Sequence, residues 1–203
     1  MSKYRFKNLG IIVLSFFLAS FSYSQTQVTV NNIYENPSEL LLKSKIIEFD
    51  TTLEINQLKD IFKTWQGVHF RNPEKVLRSE TNSQIVINYI DQHVWNTGLG
   101  NSISSNHYQL IAQFKKGKIR LLLYDDGNVY IQATKYAPAT AAHSTHFRNY
   151  FRNDSVITNS GFNNKAKFRN ITSYIENNNR SFDSIIQGII NTKVSIVEKK
   201  DDW

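Results

Sequence analysis

The spacing of His143 and His146 is the pattern in this sequence that comes nearest to a metal site, and Asp154 is a candidate third ligand. Two imidazoles three residues apart share one face of a helix, and imidazole and carboxylate groups both bind transition metals. The residues around the pair are mainly Ala, Ser and Thr, however, and two ligands alone are a weak signal. We therefore interpret both histidines as surface residues of a loop and predict no metal and no cofactor.

The acidic side chains show no arrangement for acid–base catalysis. Asp125-Asp126 offers the oxygen ligands that a hard cation prefers, but Asp-Asp-Gly-Asn between two strands is first of all a turn sequence. A glycoside-cleaving pair would have to come from four separate carboxylates, and nothing in their spacing brings two of them into one cleft. These carboxylates are Asp50, Glu54, Glu80 and Asp91.

Nucleophile motifs are missing from the sequence as well. No serine lies in a Gly-x-Ser-x-Gly elbow, and there is no glycine-rich phosphate loop. The chain has no cysteine, which excludes thiol nucleophiles, Cys-x-x-Cys redox motifs, thiolate metal sites and disulfides. The sequence therefore predicts no catalytic residue and favours a non-enzymatic role.

The first 24 residues have the pattern of a secretory signal peptide. Three cations precede an apolar run at 11–21, and small serines follow at the positions that a signal peptidase recognises, so we predict cleavage between Ser24 and Gln25. The apolar run is shorter than the about 20 residues of a membrane span, which makes an uncleaved anchor the weaker alternative. Because no cysteine follows the leader, we expect an exported protein of the periplasm or exterior that is not a lipoprotein.

The composition is that of one globular domain. The chain has 203 residues, of which 40% are hydrophobic and 20% are charged, so it can bury a core. The formal net charge is +7, and removing the three leader cations leaves +4. Nucleic-acid binding needs clustered basic residues on one face, so we predict no nucleic-acid role, and no second stretch qualifies as a membrane span.

A β-hairpin over His107–Asp125 organises the predicted sheet. Lys116-Gly117 supplies its turn, because glycine tolerates the positive φ of tight hairpin turns. This turn sets the register, so we predict a core face on one side and a partly exposed face on the other. The core face has the facing pairs Phe114 with Ile119, Ala112 with Leu121, and Leu110 with Leu123. The opposite face has Gln113 with Arg120, Gln109 with Tyr124, and Ile111 with Leu122.

An amphipathic helix precedes this hairpin in the sequence. Thr51 and Glu54 form a capping-box pattern after a short strand at Lys45–Asp50, and Gly67 is placed to end the helix. Its apolar stripe is formed by Leu58, Ile61, Phe62 and Trp65. Between the helix and the hairpin we predict strands at Lys75–Glu80 and Gln84–Trp95, and then a loop at Asn96–Asn106.

The segment after the hairpin is less regular. We predict a turn at Asp125–Asn128, an edge strand at Val129–Tyr136, an irregular excursion at Pro138–Lys167 and a helix at Asn170–Val194. The Asn177-Asn178-Asn179 run weakens the first half of that helix, since asparagine is a poor helix former.

The elements together predict an α+β fold in the order β-α-β-β-β-β-α, with a curved antiparallel sheet and two helices on one face. The predicted division is a signal peptide at 1–24, an N-terminal linker or arm at 25–44, a sheet-and-helix core at 45–125, an extra strand with an irregular segment at 126–169, a closing helix at 170–195 and a charged tail at 196–203.

Aromatic residues on the uncovered sheet face are the candidate binding anchors, because Tyr and Trp combine a large apolar surface with a polar group. The alternative is that the helices cover most of them. These residues are Tyr89, Trp95, Tyr124, Tyr130 and Tyr136.

The layout of residues 45–125 resembles the exported Bacteroidetes domain of unknown function 4468, which has a TATA-binding-protein-like fold. The resemblance lies in the hydrophobic patterns of Ile46–Phe49, Leu58–Trp65, Ile85–Tyr89 and Tyr108–Leu123, and covers about 80 of the 203 residues. It implies a fold and a compartment, and it transfers neither a catalytic residue nor the DNA role of the fold's namesake. The long Pro138–Lys167 segment departs from the family pattern.

Three functions from different classes fit the sequence. A non-enzymatic envelope module that binds an unknown protein or small ligand is favoured, with the open sheet face and residues 138–167 as its surface. A carrier would hold a small apolar ligand between the last helix and Leu110, Leu121 and Leu123. A hydrolase would use His143 or His146.

Overall fold

A computed structural model describes residues 27–96, 101–131, 156–158 and 160–201 of the chain. No helix within these ranges is long and apolar enough to cross a membrane.

A five-stranded antiparallel sheet forms the centre of the fold, with the spatial strand order β2-β6-β5-β4-β3. A separate two-stranded sheet joins β1 to β7. The strands are β1 (Gln27–Val28), β2 (Leu41–Glu48), β3 (Leu77–Glu80), β4 (Gln84–Asn96), β5 (Asn101–Lys115), β6 (Lys118–Ile131) and β7 (Ile157–Thr158). The helices are α1 (Val30–Ile33), α2 (Ile55–His69), α3 (Pro73–Val76) and α4 (Phe162–Asp201).

The order of strand, helix, four antiparallel strands and long helix is the predicted one, so the α+β fold class is confirmed. The hairpin register is confirmed pair by pair, including Leu110 with Leu123 and Gln113 with Arg120. Gly117 has a φ of 70°, and a Cβ there would lie 3.0 Å from the Cα of Thr51. A glycine is therefore needed both for the turn and for its close approach to the chain before α2.

Helix α2 has the predicted apolar stripe but different ends. Its N-cap is Glu54, whose side chain accepts a hydrogen bond from the N3 backbone, while Gln57 Oε1 accepts one from the Glu54 N–H at 2.9 Å. The capping box predicted at Thr51 and Glu54 is therefore wrong. The helix begins about one turn later, with Glu54 as its N-cap and Gln57 at N3. Gly67 does not end the helix, which continues to His69, because a single glycine lowers helix stability without preventing the conformation.

Helix α4 is longer than predicted, with 40 residues beginning at Phe162. The last part of the predicted irregular segment is therefore helical. The asparagine run does not interrupt the helix, since Asn178 is buried and its Oδ1 accepts a hydrogen bond of 2.7 Å from the hydroxyl of Tyr108 on β5. This tertiary contact offsets the low helix propensity of asparagine.

Two predicted breaks in the sheet are strand instead. The loop predicted at Asn96–Asn106 is wrong for residues 101–106, which belong to β5 and pair with β4. The turn predicted at Asp125–Asn128 lies inside β6, where the register with β5 shifts between Asn106 and Tyr108. The additional residues of β6 between Asp125 and Val129 form a bulge. Residues that form turns also favour bulges. The start of the strand predicted at Val129–Tyr136 extends β6, and its end lies outside the described residues.

The N-terminal arm belongs to the core. Val28, Ile33 and Tyr34 are buried, and β2 begins at Leu41, four residues before the predicted strand. The arm is held by pairing of β1 with β7, by the buried side chains and by contacts with α4. Because β1 and β7 lie so far apart in the sequence, no pattern of neighbouring residues predicts that they pair.

The core lies between one face of the sheet and the two longer helices. This face, which we call the inner face, carries alternate residues of the central strands, including Ile85, Leu110 and Leu121, all fully buried. They form one cluster with the α2 stripe and with buried residues of α4. Two helices therefore cover one face, as predicted.

Candidate interaction surface

The opposite side of the sheet, the outer face, has an apolar row across its central strands. Leu122 of β6 pairs with Ile111 of β5, which pairs with Val86 of β4. Leu122 and Val86 are only 6% and 7% exposed, yet neither belongs to the cluster that contains the helices. Both side chains are therefore buried outside the core that α2 and α4 form.

Two exposed aliphatic side chains flank this apolar row. Ile46 of β2, which pairs with Arg120, is 53% exposed, and Ile90 of β4, which pairs with His107, is 58% exposed. Strand alternation leaves these residues without a covering layer, so their apolar surface faces solvent.

Amide side chains border the row on β4 and β5. Gln109 Nε2 donates to Asn88 Oδ1 at 3.3 Å, and Gln113 Nε2 donates to Gln84 Oε1 at 3.5 Å. These cross-strand pairs are half-buried and leave hydrogen-bonding groups for a partner.

The charges of the outer face lie toward the hairpin end. Arg120 is exposed, and Lys118 Nζ contacts Glu48 Oε1 at 2.7 Å. The Lys118 hydrogen bond and charge lower the pKa of the Glu48 carboxyl. An apolar, charge-poor centre with a polar rim is the general arrangement of protein–protein interfaces.

The structure places only part of the predicted aromatic set on this face. Tyr124 lies on it, half-buried opposite Gln109. Tyr89 does not, because it lies on the inner face with its ring 5.4 Å from Tyr108 and 5.6 Å from Phe70. Burial raises the pKa of its hydroxyl, with the charge of Asp91 adding to the effect. The prediction that Tyr89 lies on the outer face is therefore wrong. The alternative, in which the helix layer covers the aromatic residue, is correct for Tyr89.

The remaining aromatic and metal candidates lie outside what the structure describes. They are the side chains of Trp95, Tyr130, Tyr136, His143, His146, Asp154 and Asp126, and the cleavage site at Ser24 and Gln25.

Asp125 is described, and it is a buried structural carboxylate. It is 3% exposed and accepts a hydrogen bond of 2.7 Å from the hydroxyl of Tyr34. Tyr174 of α4 is also buried, and its hydroxyl pKa is raised by burial and then by the charge of Asp125. The carboxylate therefore joins the N-terminal arm to the sheet inside the core, and its charge acts on Tyr174 of α4.

The four carboxylates considered for catalysis make separate contacts. Glu54 Oε1 lies 2.6 Å from Lys116, Glu80 Oε1 lies 2.7 Å from Lys59, and Asp91 Oδ2 accepts from Ser181 at 3.5 Å. Asp50 Oδ1 accepts from the backbone N–H of Thr52 at 2.9 Å, and this bond lowers the Asp50 pKa. Each carboxylate thus supports local structure.

The three leucines of the carrier hypothesis lie in the packed core. Leu110 and Leu121 are 0% exposed and Leu123 is 1% exposed, in one cluster with residues of both long helices. The grooves described for this chain are lined by other residues.

Sequence reasoning found the outer-face residues of the hairpin and missed those of the other strands. Ile46, Val86 and Ile90 join the surface through pairing of β2 with β6 and of β4 with β5. Alternation within each strand marks two faces, but only the pairing shows which residues of different strands share one.

Comparison with known proteins gives two structural similarities. A crystal structure of a TBP-like protein from Parabacteroides distasonis matches with 12% identity and a TM-score of 0.48, covering 74% of this chain and 94% of that one. A crystal structure of a DUF4468 family protein from Bacteroides ovatus matches with 15% identity and a TM-score of 0.48, covering 78% and 92%. The resemblance found in the sequence names the same family and fold. No protein-family model and no curated protein matches the chain.

Proposed function

We propose that this protein is a non-enzymatic interaction module of the bacterial cell envelope that binds a protein partner through the outer face of its sheet. The observation that carries the proposal is the pair of exposed aliphatic residues Ile46 and Ile90, which lie beside the apolar row of Leu122, Ile111 and Val86 on the face opposite the helices. The exposed apolar surface of Ile46 and Ile90 loses water only when another surface covers it, whereas Leu122 and Val86 are already buried.

A protein partner suits this face better than a charged polymer. The centre of the face is aliphatic and the flanking groups are amides, while Arg120 and the Lys118–Glu48 pair lie at one end. Nucleic acid would require a row of cations, whereas a protein interface combines an apolar centre with hydrogen-bonding groups around it.

Export is part of the proposal and rests on the leader sequence. Its cations, its apolar run and the small residues before Gln25 support cleavage by a signal peptidase. The intact mass of the protein recovered from the envelope fraction tests this part. We expect a mature chain that begins at Gln25, and a mass that includes the leader would contradict it.

Site-specific photocrosslinking in intact cells tests the proposed surface. A photoreactive residue replaces Ile46 or Ile90 on the outer face, and a matched control replaces Thr64 of α2, an exposed β-branched residue on the helix side. We expect one adduct of the same mass from both outer-face positions and none from position 64.

A second substitution makes this experiment specific to the face. Ile90→Asp places a charge in the proposed interface without disturbing the core, so it should weaken the adduct formed from position 46. Equal adducts from all three positions, or none from the outer face, would overturn the proposed surface. Turnover of a substrate that one point mutation abolishes would overturn the non-enzymatic role.

A further inference from the structure

A polar groove lies on the helix side of the sheet, where the last turn of α2 and the middle of α4 meet β4. Its volume is about 520 Å³, and its lining includes His69, Asp91, Asn177, Arg180 and Ser181. We call it the polar groove. It is separate from the outer face, because it is built by the helix layer.

A second groove continues the first along the two helices. Its volume is about 500 Å³, and it shares His69 and Ser184 with the polar groove. Val68, 84% exposed, lines it, and Gly188 of α4 leaves the Trp65 indole at its floor without an intervening side chain. The second groove therefore adds an indole and an aliphatic side chain to the lining.

His69 stands at the junction of the grooves in a fixed orientation. Its imidazole stacks on Trp65 with 5.0 Å between ring centroids and 24° between planes. Burial lowers the pKa of His69, and the charge of Asp91 partly opposes this effect. A neutral imidazole offers one donor, one acceptor and a flat ring.

The polar groove has both hydrogen-bond donors and hydrogen-bond acceptors in its lining. Asp91 accepts, Arg180 donates, the Asn177 amide does both, and the Ser181 hydroxyl donates to Asp91 Oδ2 at 3.5 Å. The carboxylate repels a phosphate or sulfate anion. A hard cation prefers several carboxylate oxygens, and Asp91 is the one carboxylate among the described residues that line this groove.

Saccharide rings match both parts of the site. Their hydroxyl groups donate and accept at the same atom, so they need acceptors and donors side by side, and their C–H faces pack on flat or aliphatic surfaces. We propose that the two connected grooves bind a neutral saccharide chain, with hydroxyl groups held by Asp91, Asn177 and Arg180 and with a ring face against His69 and Val68. This site goes beyond the proposed function and lies on the other side of the sheet.

Titration of the whole mature chain with neutral tetrasaccharides tests the proposal. The probes are chitotetraose, cellotetraose and maltotetraose, and the readout is the indole N–H signal of Trp65 in a ¹⁵N–¹H NMR spectrum. We expect at least one probe to shift this signal saturably, with a Kd of about 1 mM or tighter. Arg180→Gln should weaken that binding at least about tenfold, since it removes a charged hydrogen-bond donor. Because Arg180 is exposed, the substitution should leave the fold intact.

A matched control is available on the other side of the sheet. Arg120→Gln makes the same change on the outer face and should leave saccharide binding unchanged. Failure of all three probes, equal weakening by both substitutions, or saturable binding of inorganic phosphate or calcium chloride at Trp65 instead would overturn the proposal. None of these results bears on crosslinking from the outer face, so the two proposals fail separately.

Discussion

The two faces of the sheet are built by the same strands, but the side chains on each face have different surroundings. On β6, Leu121 belongs to the cluster with α2 and α4, whereas the adjacent Leu122 lies in the apolar row of the outer face. Both are buried leucines with the same strand propensity. Alternation therefore separates the two faces, and the helix layer decides which apolar side chains join the common core, whereas Ile46 and Ile90 on the outer face stay exposed.

The polar groups of the two faces differ in the same way. On the inner side Asp125 and Tyr34 are buried and hydrogen-bonded to each other. This hydrogen bond compensates both groups for the water that they lose on burial. On the outer side Gln109 and Asn88 make a longer contact that solvent can replace. Polar contacts therefore contribute to stability inside and remain exchangeable outside.

Adjacent isoleucines of β2 provide the largest expected contrast. Ile47 is 5% exposed on the inner face and Ile46 is 53% exposed on the outer face. Ile47→Thr should lower the free energy of unfolding by about 2–4 kcal/mol, because it removes buried apolar surface and buries a hydroxyl. Ile46→Thr should change it by less than about 0.5 kcal/mol. Urea denaturation measures both, and equal losses would mean that the outer face is covered.

Two tyrosines test the polar contrast. Tyr34→Phe removes the donor to the buried Asp125 carboxylate and should cost about 1.5–3 kcal/mol of unfolding free energy. Tyr124→Phe on the outer face should cost less than about 0.5 kcal/mol. Thermal and urea unfolding of both variants supply the comparison. A neutral result for Tyr34→Phe would show that other partners of Asp125 suffice.

Two helical glycines test the packing of the inner layer. A Cβ at Gly188 would lie 2.6 Å from Nε1 of Trp65, whereas a Cβ at Gly67 meets nothing within 4 Å. Gly188→Ala should destabilise the fold by about 1–2 kcal/mol, since overpacking exceeds the gain in helix propensity. Gly67→Ala should stabilise it by about 0.5–1 kcal/mol. Circular dichroism melts give the sign of each effect, and the same sign for both would refute the close α2–α4 approach.

The smallest expected effect is a pH dependence from His69. Its pKa is lowered by burial, so below the ordinary value of about 6.5 the unfolded chain takes up the proton more readily than the folded chain. The stability that His69 contributes is thus present above that pH and declines as the pH falls through the folded pKa. The loss should stay below about 1 kcal/mol because the ring is partly exposed. His69→Gln should flatten the fall in urea-derived stability between about pH 7 and 5, and an unchanged slope would contradict it.

The sequence by itself determined the local elements. The hairpin register follows from one glycine at the turn and a strict alternation, and both are properties of neighbouring residues. The α2 stripe follows from helical spacing. The ends of α2 and α4 did not follow, because several nearby residues can cap a helix and packing decides among them.

Tertiary structure alone decided which residues act together. Tyr34 meets Asp125 across 91 positions, and Asp91 meets Ser181 across 90, so no spacing rule connects either pair. Asp125–Asn128, a turn by composition, lies within β6, because β5 pairs with β6 on both sides of it, at Asp125 and at Val129. Local propensities differ by about 1 kcal/mol or less per residue, and pairing or burial of a whole segment exceeds them. The outer face and the polar groove, which carry both proposals, exist only through such long-range packing.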